Sequence, residues 1–76
     1  MAYNKFCARD VLKKLEEFPT EKKRVLIHDL EEVLPQYSYD TLQATCVEMA
    51  KRHIIDATTY KIKEGERIRN IKLQPR

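Results

Sequence analysis

Residues 38–74 read SYDTLQATCVEMAKRHIIDATTYKIKEGERIRNIKLQ, and within this stretch the apolar spacing changes from helical to strand-like. Ser38 is a strong N-cap, because its hydroxyl can accept an orphan amide of the first turn. Behind it, Leu42, Cys46, Met49, Ala50 and His53 fall at helical spacing and predict a helix from Tyr39 to about His53 with those side chains inward. From Ile54 the period becomes two, with Thr58, Tyr60 and Ile62 alternating with Thr59, Lys61 and Lys63. Glu64-Gly65 suits a two-residue hairpin loop, since a primed turn needs positive φ and glycine supplies it at little cost. The return strand is predicted over Glu66 to Gln74. Pairing about that loop sets Ile62 against Arg67, Tyr60 against Arg69 and Thr58 against Ile71. One hairpin face then carries Tyr60, Ile62, Ile71 and Leu73 over a core, and the other carries Lys61, Lys63, Asn70 and Lys72. Ile68 falls on the wrong face, which leaves two alternatives: a tip twisted away from the body, or a bulge that shifts the phase.

Upstream, Asn4 to Phe18 reads as an amphipathic helix, with Phe6, Val11, Leu12, Leu15 and Phe18 on one side and Arg9, Lys13, Lys14, Glu16 and Glu17 on the other. Pro19 ends it, because proline lacks the amide donor and pushes the preceding residue out of the helical region. Residues 20–34 admit two readings. Thr20 could cap a helix running to Leu34 with Leu26, Leu30, Val33 and Leu34 as its stripe, or Arg24 to Ile27 is a short strand followed by a helix from His28. The second is favoured because Val25, Leu26 and Ile27 are consecutive apolar residues. Pro35 ends the element in either case, and Gln36-Tyr37 connects to Ser38.

A chain of 76 residues with 42% hydrophobic side chains fits one domain, residues 1–76, and leaves little room for a large enzymatic pocket. No apolar run approaches the roughly 20 residues of a membrane span. Two cysteines, Cys7 and Cys46, are too few for a disulfide scaffold, and no apolar leader precedes the first helix, so a cytoplasmic, reducing setting is expected.

The predicted order of helix, short strand, helix, helix and hairpin, together with Ser38-Tyr-Asp-Thr-Leu through Cys46, Met49, His53, Ile54 and Ile55, resembles the winged helix-turn-helix superfamily. His53 stands where that superfamily commonly has glycine. The resemblance implies an α+β fold, a three-helix core with a C-terminal two-stranded wing, and binding to double-stranded DNA in transcription regulation. It would place Tyr37, Tyr39, Asp40, Thr41, Gln43 and Ala44 on the exposed leading face of the third helix, with Tyr39, Thr41 and Gln43 reading base edges.

The charge pattern qualifies that expectation. Residues 25–50 contain no Lys or Arg but hold Asp29, Glu31, Glu32, Asp40 and Glu48. From Lys51 onward there are eight basic and three acidic residues, a balance of +5, whereas the first fifty residues carry −2. Phosphate contacts dominate DNA affinity. The wing residues Lys61, Lys63, Arg67 and Arg69 are therefore the expected anchors, with Lys22, Lys23 and Arg24 as a second basic cluster. The same lysines would also protect an exposed strand edge against aggregation.

Other chemistries find less support. Cys7, His28, Cys46 and His53 are scattered singly rather than paired at zinc-ligand spacing, so no metal or other cofactor is expected. His53 reads as a helix C-terminal residue interacting with the dipole. Adjacent Glu16-Glu17 and Glu31-Glu32 diverge around their helices, and one glycine cannot build a phosphate loop. An enzyme is not expected. The alternative to DNA binding is a protein-interaction adaptor, or a homodimer, docking through an acidic helical face with Tyr37, Tyr39 and Val47 exposed.

Overall fold

The structure is a computed structural model that describes residues 3–19 and 24–74. Asn4 opens the first helix, its Oδ1 accepting from the amides of Phe6 and Cys7 at 3.0 Å each. Helix α1 spans Lys5–Glu17. Phe18 follows as C-cap with ψ of 143°, the extended conformation that a residue before proline requires. The apolar face is rotated from the expected one. Cys7, Ala8, Val11 and Leu15 are buried and Leu12 packs beside them, while Phe6 is 63% exposed in the first turn, where no other element reaches it.

Helix α2 is Ile27–Val33. The expected strand from Arg24 to Ile27 is absent, since residues 24–26 are irregular and Ile27 is already helical. The Asp29 carboxylate caps the start by accepting the Leu26 amide at 2.8 Å, which draws the apolar run into a helix. One feature of a strand survives: the Val25 carbonyl accepts the Ile71 amide at 3.0 Å, a single bond to the hairpin edge. Thr20, Lys22 and Lys23 lie outside the described residues.

Helix α3 is Tyr39–Lys51, capped by Ser38, whose Oγ accepts the Thr41 amide at 3.2 Å. It ends two residues before the expected His53 because the chain turns left-handed there. His53 has φ of 58°, its amide donates to Ala50 O at 3.1 Å, and the Ile54 amide donates to Met49 O at 2.9 Å. This pair of bonds is the Schellman arrangement that usually selects glycine at this position. His53 is consequently exposed and not inward, and Ile54 and Ile55 are turned back against the core.

Strands β1 (Ile55–Ile62) and β2 (Gly65–Leu73) form an antiparallel pair. Ile62 faces Gly65, so the loop is Lys63-Glu64 and not Glu64-Gly65. Among the described residues only Gly65 of this loop region has positive φ, at 129°, just after a turn of the ordinary hand. The register accordingly differs from the expected one: Tyr60 faces Arg67 and Thr58 faces Arg69. Between Thr58 and Asp56 the partners advance from Arg69 to Lys72, so Asn70 and Ile71 together oppose Ala57. Asn70, at φ of 55°, occupies the left-handed position of this bulge, which asparagine tolerates better than most residues. The extra residue puts Ile68 and Ile71 on the same side, both buried with Ile55, whereas Tyr60, Ile62 and Leu73 stay exposed instead of covering the core.

The layout is therefore α+β, three helices followed by a C-terminal hairpin, compatible with a winged helix-like fold. Its core joins Val11, Leu30, Leu42, Cys46, Met49, Ile55 and Ile71. No helix among the described residues is long and apolar enough to cross a membrane. Because both left-handed positions hold side chains, His53→Gly is expected to stabilise the fold by about 0.5–1 kcal/mol. Asn70→Val is expected to destabilise it by roughly 1–3 kcal/mol, both measured by urea unfolding.

Candidate nucleic-acid interface

Helix α3 carries the side chains expected to read DNA, and the fold removes most of them from view. It packs on α1 and α2 through Leu42, Thr45, Cys46 and Met49, and on the hairpin side Gln43 is 6% and Val47 9% exposed. Gln43 therefore cannot reach a base edge, and Val47 is not an exposed apolar patch. Tyr39 is half-buried, its ring 5.1 Å from that of His28 at an interplanar angle of 43°. Thr41 accepts from Ser38 Oγ at 3.0 Å through its own hydroxyl, so it serves the helix cap. The outward strip that remains includes Asp40 and Glu48, the wrong sign for phosphate.

Tyr37 is also committed internally. Its hydroxyl donates to Asp10 Oδ2 at 2.7 Å, which ties the α2–α3 connection to α1. That bond to the Asp10 carboxylate pushes the phenol pKa up to about 12. The two thiols are inert for a related reason. Burial raises both, Cys46 to about 12, so neither is a thiolate available to a metal or substrate. Among the described residues no group of three His, Cys, Asp or Glu side chains could hold a metal ion.

Two clefts flank the hairpin, and their charges differ. The larger, about 700 Å³, lies between α3 and the hairpin tip. Four cations line it (Lys51, Lys61, Lys63, Arg67), but so do four carboxylates (Asp40, Glu48, Glu64, Glu66), and the net charge is zero. Lys51 and Glu66 pair across it at 2.9 Å, and the Glu66 carboxylate raises the Lys51 pKa. Gln43 Oε1 is enclosed here with no hydrogen-bond partner among the described residues. The Thr45 hydroxyl is likewise enclosed in the core, close to the Cys7 thiol but without a hydrogen bond of ordinary geometry.

The smaller cleft, about 400 Å³, lies between the start of α2 and the hairpin. Arg24, His28, Tyr39, Tyr60, Arg69 and Asn70 are among its lining residues, and none of the described lining residues is acidic. Arg69 lies over the Tyr60 ring at 4.7 Å from its centroid. This pair is diagonal across the hairpin, because Tyr60 faces Arg67 and Thr58 faces Arg69. The cleft thus brings one wing cation, Arg69, beside Arg24 from the other basic cluster. Sequence spacing left these in separate groups, and it missed Tyr60 and His28 as site residues. Asn70 is the readable signal, as the one residue inside β2 beyond Gly65 that readily adopts a left-handed bulge.

The four wing cations do not form one patch. Lys61 shares a face with Glu66, whereas Tyr60 shares the other with Arg67 and, diagonally, Arg69. Lys51, Arg52 and Lys72 are each paired, with Glu66, Glu48 and Asp56 respectively. Lys61, Lys63 and Arg67 have no ion-pair partner among the described residues. Comparison with protein-family models, with curated proteins and with solved structures finds no match to this chain.

The Tyr37–Asp10 bond generates a pH prediction. The folded pKa lies above the ordinary tyrosine value of about 10, so its stabilisation is complete below pH ~10 and is lost as pH rises through about 12. In a phenolate absorbance titration, one of the four tyrosines should ionise last, and Tyr37→Phe should remove that phase. The stability gap between wild type and Tyr37→Phe should close over the same interval.

Proposed function

We propose that this chain is a winged helix-turn-helix protein that binds double-stranded DNA, as a small regulator or accessory factor, mainly through its hairpin and with little base readout by α3. The carrying observation is the division of charge around the hairpin. Among the described residues Lys61, Lys63 and Arg67 have no ion-pair partner, and Arg24 and Arg69 line a cleft whose described lining holds no carboxylate. Unpaired cations on a projecting hairpin are what phosphate contact needs, and each contact releases counterions. The burial of Gln43, the ring contact of Tyr39 with His28 and the cap bond of Thr41 argue for weak sequence preference. Buried, protonated thiols fit a reducing, cytoplasmic setting.

The adaptor or homodimer alternative has lost its apolar anchor. Val47 is buried and the Tyr37 hydroxyl is bonded to Asp10, which lessens the support for docking through the acidic face.

Fluorescence anisotropy with a labelled duplex across a salt series tests the proposal. Affinity should fall steeply with salt, and Lys61→Ala, Lys63→Ala and Arg67→Ala should each lower the log–log slope by about 0.9. Shuffled duplexes should bind within a few-fold of one another. No binding at low ionic strength, or a slope unchanged by all three substitutions, would reject it.

A further inference from the structure

We propose that the cleft between the start of α2 and the hairpin seats one unpaired nucleobase, so that the domain grips single-stranded DNA more tightly than duplex. This rests on the phosphate-binding reading above and assigns a substrate preference to the same basic surface.

Size is the first consideration. About 400 Å³ is near the lower end of the roughly 300–1,000 Å³ typical of small-molecule sites, and it suits a single flat ring system better than a double helix. Composition is the second. His28 and Tyr39 line the cleft from the helical side, already in ring contact at 5.1 Å, and Tyr60 lines it from the hairpin. Tyr60 is 39% exposed, on the hairpin face opposite the buried Ile68, where its ring is open to a ligand. Leu26, 42% exposed at the N-cap of α2, adds an apolar surface. Every base has a π-face, so such a lining recognises stacking and not sequence.

Charge completes the match. Arg24 approaches the cleft from the segment before α2 and Arg69 from β2, and no described lining residue repels an anion. Arg69 already lies over Tyr60, 4.7 Å from the ring centroid, a position from which a guanidinium can contact a ring and still donate to a phosphate. The larger cleft fails the same comparison, because its four carboxylates cancel its four cations. A paired base could enter the smaller cleft only by leaving its stack, which costs a few kcal/mol in a duplex and far less in a flexible single strand. The expected preference for single strands follows from that difference.

The chain has four tyrosines and no tryptophan, so its own emission reports stacking. Labelled oligo-dT and a duplex of equal length would be titrated at low salt, with tyrosine emission and Tyr60 ring resonances followed in parallel. Oligo-dT is expected to bind about tenfold or more tightly than duplex, quench tyrosine emission and shift the Tyr60 ring signals upfield. Tyr60→Leu should lose roughly 5- to 100-fold in oligo-dT affinity, the range of one lost base–aromatic stack, with duplex affinity unchanged. Tyr60→Phe should behave as wild type, which separates ring stacking from the hydroxyl.

Duplex binding with no single-strand preference and unmoved Tyr60 signals would overturn the base seat and leave the phosphate reading standing. Equal competition by poly-glutamate at matched charge would also overturn it, since the cleft would then accept any polyanion. Failure to bind either nucleic acid would sink both. The Tyr60 ring signals are read on the wild-type protein, so the outcome does not depend on the folding of any variant.

Discussion

The left-handed turn at Asn70 governs how the two halves of the molecule meet. A regular strand would send Ile68 and Ile71 to opposite faces, because side chains alternate. One extra residue puts both into the core and gives the hairpin a second apolar foothold beside Ile55. Ile71 also donates its amide to the Val25 carbonyl. That bond holds the chain leading into α2 against the hairpin and carries Arg24 to the cleft that Arg69 and Asn70 also line. Packing, tethering and the charge of the smaller cleft thus share one origin, a backbone conformation that asparagine adopts at modest cost.

Helix α3 is enclosed from two directions, and that decides its chemistry. Leu42, Cys46 and Met49 are fully buried in the core, while Gln43 and Val47, also buried, line the cleft toward the hairpin tip. A 13-residue helix buried on two sides keeps only a narrow strip in water, and here the strip carries Asp40 and Glu48. Such a helix supports the fold but is poorly equipped to face phosphates. The net charge of +3 consequently has little meaning as a total. Where the cations stand, and whether a carboxylate neutralises them, matters more. Lys51, Arg52 and Lys72 are paired, and Lys61, Lys63 and Arg67 are not paired among the described residues.

Much of the fold was legible before any coordinates. Pro19 and Pro35 bounded helices, Ser38 capped α3, and the change of period near Ile54 marked the hairpin. The errors cluster where a single residue departs from ordinary φ. Gly65 was placed inside a primed turn, whereas it follows a turn of the common hand, and this displaced the register by two residues. His53 was counted as an inward side chain because helical spacing continues through it, yet its φ of 58° ends the helix first. The resemblance to a superfamily with glycine at that position already pointed to a left-handed residue. Phe6 shows a different failure: periodicity identifies an apolar stripe, but the edge of the stripe is buried only if a neighbour reaches it.

Of the residues expected to bind DNA, Lys61, Lys63 and Arg69 are exposed, Arg67, Tyr39 and Thr41 are half-buried, and Gln43 is enclosed. A lysine or arginine declares its exposure through the cost of burying charge, so Lys61, Lys63, Arg67 and Arg69 could be assigned to the surface from sequence. Glutamine, threonine and tyrosine carry no such penalty, and only packing decided that Gln43 is enclosed, Thr41 serves a cap and Tyr39 meets the His28 ring at a tilt. The sequence by itself determined the number and order of the elements and the positive balance of the C-terminal third, because capping, proline and periodicity act locally. Only the tertiary structure decided which cations are free and which meet aromatic rings in one cleft. Those pairings join residues far apart in the chain, and a single left-handed residue resets the register that brings them together.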